Sequence, residues 1–156
     1  MESISTNSFG AVLGRIRGQR VYVDTNVFIY FLDKNDKYFG VVLPFFEQFN
    51  ARQSLAHTGD AVVAETLYKP YQADDALRVS EFKEFFAQEE FITVLPHTKK
   101  VFELAAELSP KRGMKLIDAL HYATAVLAGC KFFLTNDQGF ASSAGLEVIQ
   151  LGRLVN

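Results

Sequence analysis

Short apolar runs of strand length alternate with helix-length amphipathic segments along most of this chain, and that alternation leaves few folds open. Val21-Tyr22-Val23 is β-branched and aromatic, the composition of a strand buried on both faces. Thr25 or Asn26 can cap a helix running to Leu32, which the polar stretch 33–36 breaks. A helix is expected over residues 38–52, where Val41, Val42, Phe45, Phe46 and Phe49 make an apolar stripe despite Gly40 and Pro44 near its start. Residues 54–57 read as a weaker strand, with Thr58-Gly59-Asp60 as turn and cap for a helix that carries Glu65 and ends at Pro70. Asp74 or Asp75 opens the next helix, and residues 91–95 form a third strand closed by Pro96. Thr98 caps a helix to about Leu108, followed by a basic loop over 109–113. An Ala-rich helix spans 116–129, residues 131–135 form a fourth strand, and 147–151 a fifth at the sheet edge.

Strands separated by such helices imply right-handed βαβ units, hence an α/β chain. The expected architecture is a three-layer α/β/α sandwich around a central parallel sheet of four to five strands. At 156 residues the chain has the size of one domain, assigned to 20–156. Residues 1–19 form an N-terminal extension, in which Phe9, Val12, Leu13 and Ile16 have the spacing of a short docked helix. With 49% hydrophobic and 22% charged residues, the composition is that of a packed globule and excludes a disordered or fibrous chain.

The single cysteine, Cys130, excludes an internal disulfide and a cysteine-based zinc cluster, and fits a reducing compartment. A cytoplasmic location is expected. No apolar run approaches the roughly 20 residues of a bilayer span, so no membrane association is expected. A net charge of −2 exerts no global pull on nucleic acid, so any such binding needs a local basic patch.

Four acids each stand just past an apolar run: Asp24, Glu65, Asp118 and Asp137. Charge beside core segments costs several kcal/mol unless paired or bound to metal, and a hard divalent cation with oxygen ligands is the simplest partner. In open parallel sheets ligands bind beyond the carboxyl ends of strands, where Asp24 and Asp137 fall. Each acid also has a structural reading. Asp24 could cap a helix, Asp118 could pair with Lys115, Asp137 could form an Asx turn, and Glu65 could sit on a solvated face.

Val23-Asp24-Thr25-Asn26, Ala64-Glu65-Thr66-Leu67, the run from Leu116-Ile117-Asp118-Ala119 to Ala125, and Leu134-Thr135-Asn136-Asp137 occur in that order. In this the chain resembles the PIN-domain nucleases, above all the VapC-like toxins of bacterial toxin–antitoxin modules. The resemblance covers residues 21–140 and implies a PIN-like nuclease domain over 20–156. It implies a metal-dependent endoribonuclease whose acids Asp24, Glu65, Asp118 and Asp137 bind Mg²⁺ or Mn²⁺ and hydrolyse RNA phosphodiesters. With two ions all four acids would have work to do; with one, Glu65 is the candidate base or a ligand held through water. Thr135 matches a supporting hydroxyl, and Asn26 can hydrogen-bond a carboxylate or a phosphate. RNA as substrate, a cognate antitoxin protein and a homodimer are the implied partners.

Lys111, Arg112 and Lys115 are the densest positive cluster near these acids, able to grip RNA phosphates or to lie on a solvated turn. His121, three residues after Asp118, reads as a packing residue with metal ligation as the alternative; His57 and His97 are less suggestive, and Cys130 reads as a small hydrophobe. A catalytically silent PIN-fold binding or scaffold module is the competing function. A receiver domain would need an acid where the third strand ends in Leu95-Pro96. A haloacid-dehalogenase phosphatase would need Asp-x-Asp where Asp24-Thr25-Asn26 stands.

Overall fold

The computed structural model describes residues 9–88 and 90–155. Five strands form one sheet: β1 (Arg20–Val23), β2 (Leu55–Gly59), β3 (Ile92–Leu95), β4 (Phe132–Thr135) and β5 (Glu147–Gln150). They lie in the order β3-β2-β1-β4-β5, and every pairing is parallel. The helices are α1 (Phe9–Arg15), α2 (Thr25–Leu32), α3 (Phe39–Asn50), α4 (Asp60–Gln72), α5 (Ala76–Gln88), α6 (Lys99–Arg112) and α7 (Leu116–Leu127). The expected α/β/α sandwich is present.

Strand side chains alternate between two cores, as a period of two requires. Val21 and Val23 of β1, with Phe132 and Leu134 of β4, join Val12, Val27, Phe28, Phe45, Phe46 and Phe49 on one face. Tyr22 and Phe133 point the other way, to Tyr122, Ala125 and Phe140, beside a smaller cluster of Val101, Ala105, Ala119 and Ala123 from α6 and α7. The Phe-rich face holds an edge-on network: Phe28 meets Phe46, Phe85 and Phe86 at centroid distances of 5.7, 6.2 and 5.2 Å. Such pairs add about 0.5–1.5 kcal/mol each beyond area burial.

The strand order reverses between β1 and β4, since the chain leaves β1 toward β2 on one side and returns to β4 on the other. In open parallel sheets such a switch point, beyond the carboxyl ends of the strands, is where ligands bind. Asp24 follows β1, and Asn136-Asp137 follow β4.

Three local expectations change. Pro70 does not end α4: the helix continues to Gln72, and buried Pro70 sits in its last turn. The proline removes one ladder hydrogen bond, a loss that its burial offsets. Pro110 likewise lies inside α6, so residues 109–112 are helical rather than a loop, and the helix stops at Gly113 with φ +64°. Thr58 and Gly59 extend β2 instead of forming a turn, because both pair with β3 and the Thr58 hydroxyl donates to the Val23 carbonyl at 2.8 Å.

The predicted N-terminal helix begins at Phe9, and residues 1–8 of the extension lie outside the described residues. Gln48 Nε2 donates to the Leu13 carbonyl at 2.9 Å and Ser54 Oγ to that of Ile16 at 2.7 Å, which fixes the end of α1 to the core. Among the described residues no helix is long and apolar enough to cross a membrane.

Candidate active site

Asp24 ends β1 and caps α2, its Oδ1 accepting from the Thr25 amide at 2.8 Å. Oδ2 accepts from the Thr135 hydroxyl at 2.7 Å and from Asn26 Nδ2 at 3.3 Å. Only 5% of the residue is exposed. Burial raises its pKa and the Glu65 charge adds to that, while the His121 charge and the bonds from Thr135 and Thr25 pull the other way. Asn26 stitches the two strand exits together, since its Oδ1 accepts from the Asn136 amide at 3.0 Å. The Thr135 oxygen also accepts from the Asp137 amide at 3.0 Å.

Asp118 lies in the first turn of α7, where a negative charge is favoured by the helix dipole. Asp137 forms the Asx turn, its Oδ1 accepting from the Gly139 amide at 2.8 Å. A Cβ on Gly139 would stand 3.1 Å from Asp137 Oδ1 and 3.8 Å from Asp118 Oδ2, so two carboxylates flank one small space that glycine leaves open. The Asp118 pKa is raised, first by burial and then by the like charges of Asp137 and Asp24, with His121 and Lys115 opposing. Three acids thus share one electrostatic neighbourhood.

Glu65, half-buried on α4, is held differently. Its Oε1 accepts from the Thr25 hydroxyl at 3.0 Å and meets His121 Nε2. Burial would raise the Glu65 pKa, but the hydrogen bond and charge of His121, joined by Thr25, lower it. His121 is 1% exposed, and its Nδ1 lies 2.8 Å from the Tyr22 hydroxyl. Burial would lower the His121 pKa, yet the bond to Glu65 and the charges of Asp24, Glu65 and Asp118 raise it. The packing residue inferred from sequence is therefore wired to an acid of the site, and its one sequence signal was the three-residue spacing from Asp118.

His97 also bridges two helices. Its Nε2 accepts from the Ala61 amide at the start of α4 at 3.0 Å, and its Nδ1 lies 3.0 Å from the Thr124 hydroxyl of α7. A Cβ on Gly59 would come within 2.5 Å of the His97 ring, so glycine is what admits it. Cys130 is buried, and burial pushes its thiol up to about 12, which suits a small hydrophobe.

The three cations diverge. Lys111 pairs with Glu107 at 2.6 Å on the exposed face of α6. The Arg112 guanidinium lies 4.5 Å from the Tyr122 ring centroid and donates to the Ala141 carbonyl at 2.8 Å, clamping the segment after β4 onto α7. Lys115 is exposed at the N-terminus of α7, and its field reaches Asp118.

Among the described residues no three His, Cys, Asp or Glu side chains stand together as a ready-made metal cage. Mg²⁺ needs none, because it keeps several waters and binds through one or two carboxylates plus substrate oxygens. The oxygen-only pair at Gly139, beside a third carboxylate, fits such an ion.

A family model described as "PIN domain" matches residues 21–146. No curated protein matches the sequence. A toxin–antitoxin complex from Klebsiella pneumoniae superposes with a TM-score of 0.63 at 16% identity, over 81% of this chain and 94% of that one. VapC20 of Mycobacterium tuberculosis, a sarcin–ricin loop cleaving toxin, gives 0.59 at 16% identity over 72% and 86%. VapBC2 of Rickettsia felis, bound to a DNA fragment from its promoter, gives 0.63 at 17% identity over 83% and 96%.

Proposed function

The chain belongs to the PIN-domain family, and from that premise we propose that it is a Mg²⁺- or Mn²⁺-dependent endoribonuclease, the toxin of a toxin–antitoxin pair. The observation that carries this reading is the placement of Asp118 and Asp137 around the space at Gly139, next to Asp24 at the switch point of the sheet. Neither Asp118 nor Asp137 has an ion-pair partner among the described residues, so a cation is what the cluster lacks for neutrality.

When bound there, a divalent cation acidifies a water, neutralises charge on the phosphodiester and aligns the leaving oxygen. Asp24, Asp118, Asp137 and Glu65 are the residues to hold it or its water. Thr135 and Asn26 keep Asp24 in place by donating to Oδ2, which leaves its position independent of the ion. Glu65, kept anionic by His121 and Thr25, is equipped to take a proton from the attacking water. Lys111, Arg112 and Lys115 offer phosphate contacts that set register rather than chemistry.

An antitoxin partner is supported by the complexes to which the fold is similar, and RNA by the sarcin–ricin loop cleavage named for VapC20. A homodimer and a cytoplasmic location complete the proposal. In the experiment that tests it, purified protein is incubated with single-stranded RNA in Mn²⁺, Mg²⁺ or EDTA, beside Asp118→Ala. Cleavage that needs the ion and disappears in the variant is expected; cleavage surviving EDTA, or Asp118→Ala cutting as fast as the wild type, would overturn the reading.

A further inference from the structure

Asp118 and Asp137 flank one space at Gly139, with Asp24 in their electrostatic neighbourhood, while Glu65 is tied back into the core by a chain of side chains. The Tyr22 hydroxyl lies 2.8 Å from His121 Nδ1, and His121 Nε2 meets Glu65 Oε1, to which the Thr25 hydroxyl also donates at 3.0 Å. A carboxylate oxygen only accepts, so Nε2 carries the hydrogen toward Glu65; in the neutral ring Nδ1 then accepts from Tyr22. Tyr22 and His121 are both fully buried. Tyr22 is itself immobilised by stacking on Phe133, with centroids 5.0 Å apart and planes at 14°. A Cβ on Gly59 would come 2.9 Å from the Tyr22 hydroxyl, so the end of β2 is kept bare where that hydroxyl sits.

The consequence falls on the carboxylate. Oε1 has two donors, and no hydrogen bond reaches Oε2 among the described residues. The two oxygens of Glu65 are thereby made unequal, one consumed by the scaffold and one left for chemistry. A buried imidazole in the Ala-rich α7 is an unneeded burden for packing alone, since an aliphatic side chain would fill that volume with no polar atom to satisfy.

We propose that His121, propped by Tyr22, is a positioning residue that fixes Glu65 through Oε1 and leaves Oε2 to act on the attacking water, making Glu65 the base and not a fourth ligand of the cation. The inference rests on the nuclease reading above. In the step it serves, Oε2 takes a proton from water as the water oxygen bonds to phosphorus. The bond from phosphorus to the leaving ribose oxygen breaks, that oxygen takes a proton from solvent water, and Glu65 returns its own proton to solvent. A base displaced by about 1 Å costs on the order of 100-fold in rate.

Three variants of the full chain read the tie, namely His121→Leu, His121→Gln and Tyr22→Phe, beside Glu65→Gln and Asp118→Asn. Single-turnover cleavage of a single-stranded RNA oligonucleotide is measured at saturating RNA and Mn²⁺, and Mn²⁺ affinity by electron paramagnetic resonance without RNA. His121→Leu is expected to lose about 100-fold in rate with RNA and Mn²⁺ affinity unchanged. His121→Gln, whose amide nitrogen can reach the place of Nε2, recovers most of the rate, and Tyr22→Phe falls between. Glu65→Gln leaves Mn²⁺ affinity intact whereas Asp118→Asn lowers it. A wild-type rate in His121→Leu, a Gln variant no better than Leu, or equal losses of Mn²⁺ affinity in Glu65→Gln and Asp118→Asn would each overturn the proposal. Nitrogen-15 NMR of the His121 ring separates this from failure of the nuclease reading, because it needs no turnover. A slowly exchanging Nε2 proton whose resonance moves in Glu65→Gln supports the tie even if no RNA is cut, and a rapidly exchanging one defeats it.

Discussion

The Thr135 hydroxyl donates to Asp24 Oδ2 at 2.7 Å, joining the ends of β1 and β4 through a buried charge. Its oxygen simultaneously accepts from the Asp137 amide. Thr135→Val keeps the shape but removes both bonds and the one its oxygen accepts from Asn26 Nδ2, leaving Asp24 Oδ2 with that amide as its one long donor among the described residues; weakening the satisfaction of a buried carboxylate in this way costs about 1–3 kcal/mol. Urea denaturation of the cation-free protein should register that loss, and Thr135→Ser should restore most of it. Equal midpoints for wild type and Thr135→Val would mean that Asp24 is satisfied some other way.

The space at Gly139 makes a prediction about cations. Like charges on Asp118, Asp137 and Asp24 oppose one another, so an ion that binds only the folded state raises the melting temperature in proportion to the logarithm of its concentration. Millimolar Mn²⁺ should therefore raise Tm in the wild type. Asp118→Asn should melt no lower than wild type without ions, since it removes repulsion, and should gain little from Mn²⁺. Gly139→Ala, placing a methyl 3.1 Å from Asp137 Oδ1, should blunt the Mn²⁺ response while melting close to wild type. Identical Mn²⁺ shifts in all three proteins would place the ion elsewhere.

His97 supplies a pH dependence of known sign. Its pKa is lowered by burial and by the His121 charge, with Asp60 opposing, and its Nε2 must stay unprotonated to accept from Ala61. The unfolded chain therefore takes up the proton first as pH falls. The stability His97 contributes is complete above the ordinary histidine value and drains away as pH drops toward its lower folded value. His121 runs in the opposite sense, its raised pKa giving stability that is lost as pH rises. The isolating measurement is the difference in unfolding free energy between wild type and His97→Leu, followed from about pH 8 to pH 5. That difference should shrink toward acid; a constant one would mean the Ala61 contact contributes nothing.

The frame of the sheet was legible because Val21-Tyr22-Val23 and Phe132-Phe133-Leu134 carry β-branched and aromatic runs bounded by turn chemistry. Given a parallel sheet, the switch-point rule alone sends Asp24 and Asp137 to one edge. Where local signals failed, tertiary packing had outweighed them. Pro70 read as a stop and Pro110 as part of a loop, yet each is carried through the last turn of its helix. The tie between His121 and Glu65 spans 56 residues and that between His121 and Tyr22 spans 99, distances over which no periodic pattern carries information. Arg112 looked like a free cation because the ring that receives it, Tyr122, meets it only after α6 and α7 pack together.

That placement of Arg112 separates two effects a single triple variant would merge. Arg112→Ala removes a cation over an aromatic face and a bond to the Ala141 carbonyl, which should lower stability by about 1–2 kcal/mol. Loss of activity in that variant would then be ambiguous. Lys111 and Lys115 are exposed, and among the described residues Lys111 has a surface pair with Glu107 that solvent screens. The double variant Lys111→Ala, Lys115→Ala should therefore melt like the wild type. If both lysines contact phosphates, each loss should flatten the dependence of log affinity on log salt by about 0.7 for a single strand. The single-turnover rate at saturating RNA should stay near wild type, because these groups hold the strand and do not touch the bond that breaks. Fluorescence anisotropy across a salt series reads the slope, and rapid quench reads the rate. An unchanged slope would remove both lysines from the RNA path, and a collapsed rate with an unchanged slope would move them into the chemistry, Lys115 first because its field already reaches Asp118.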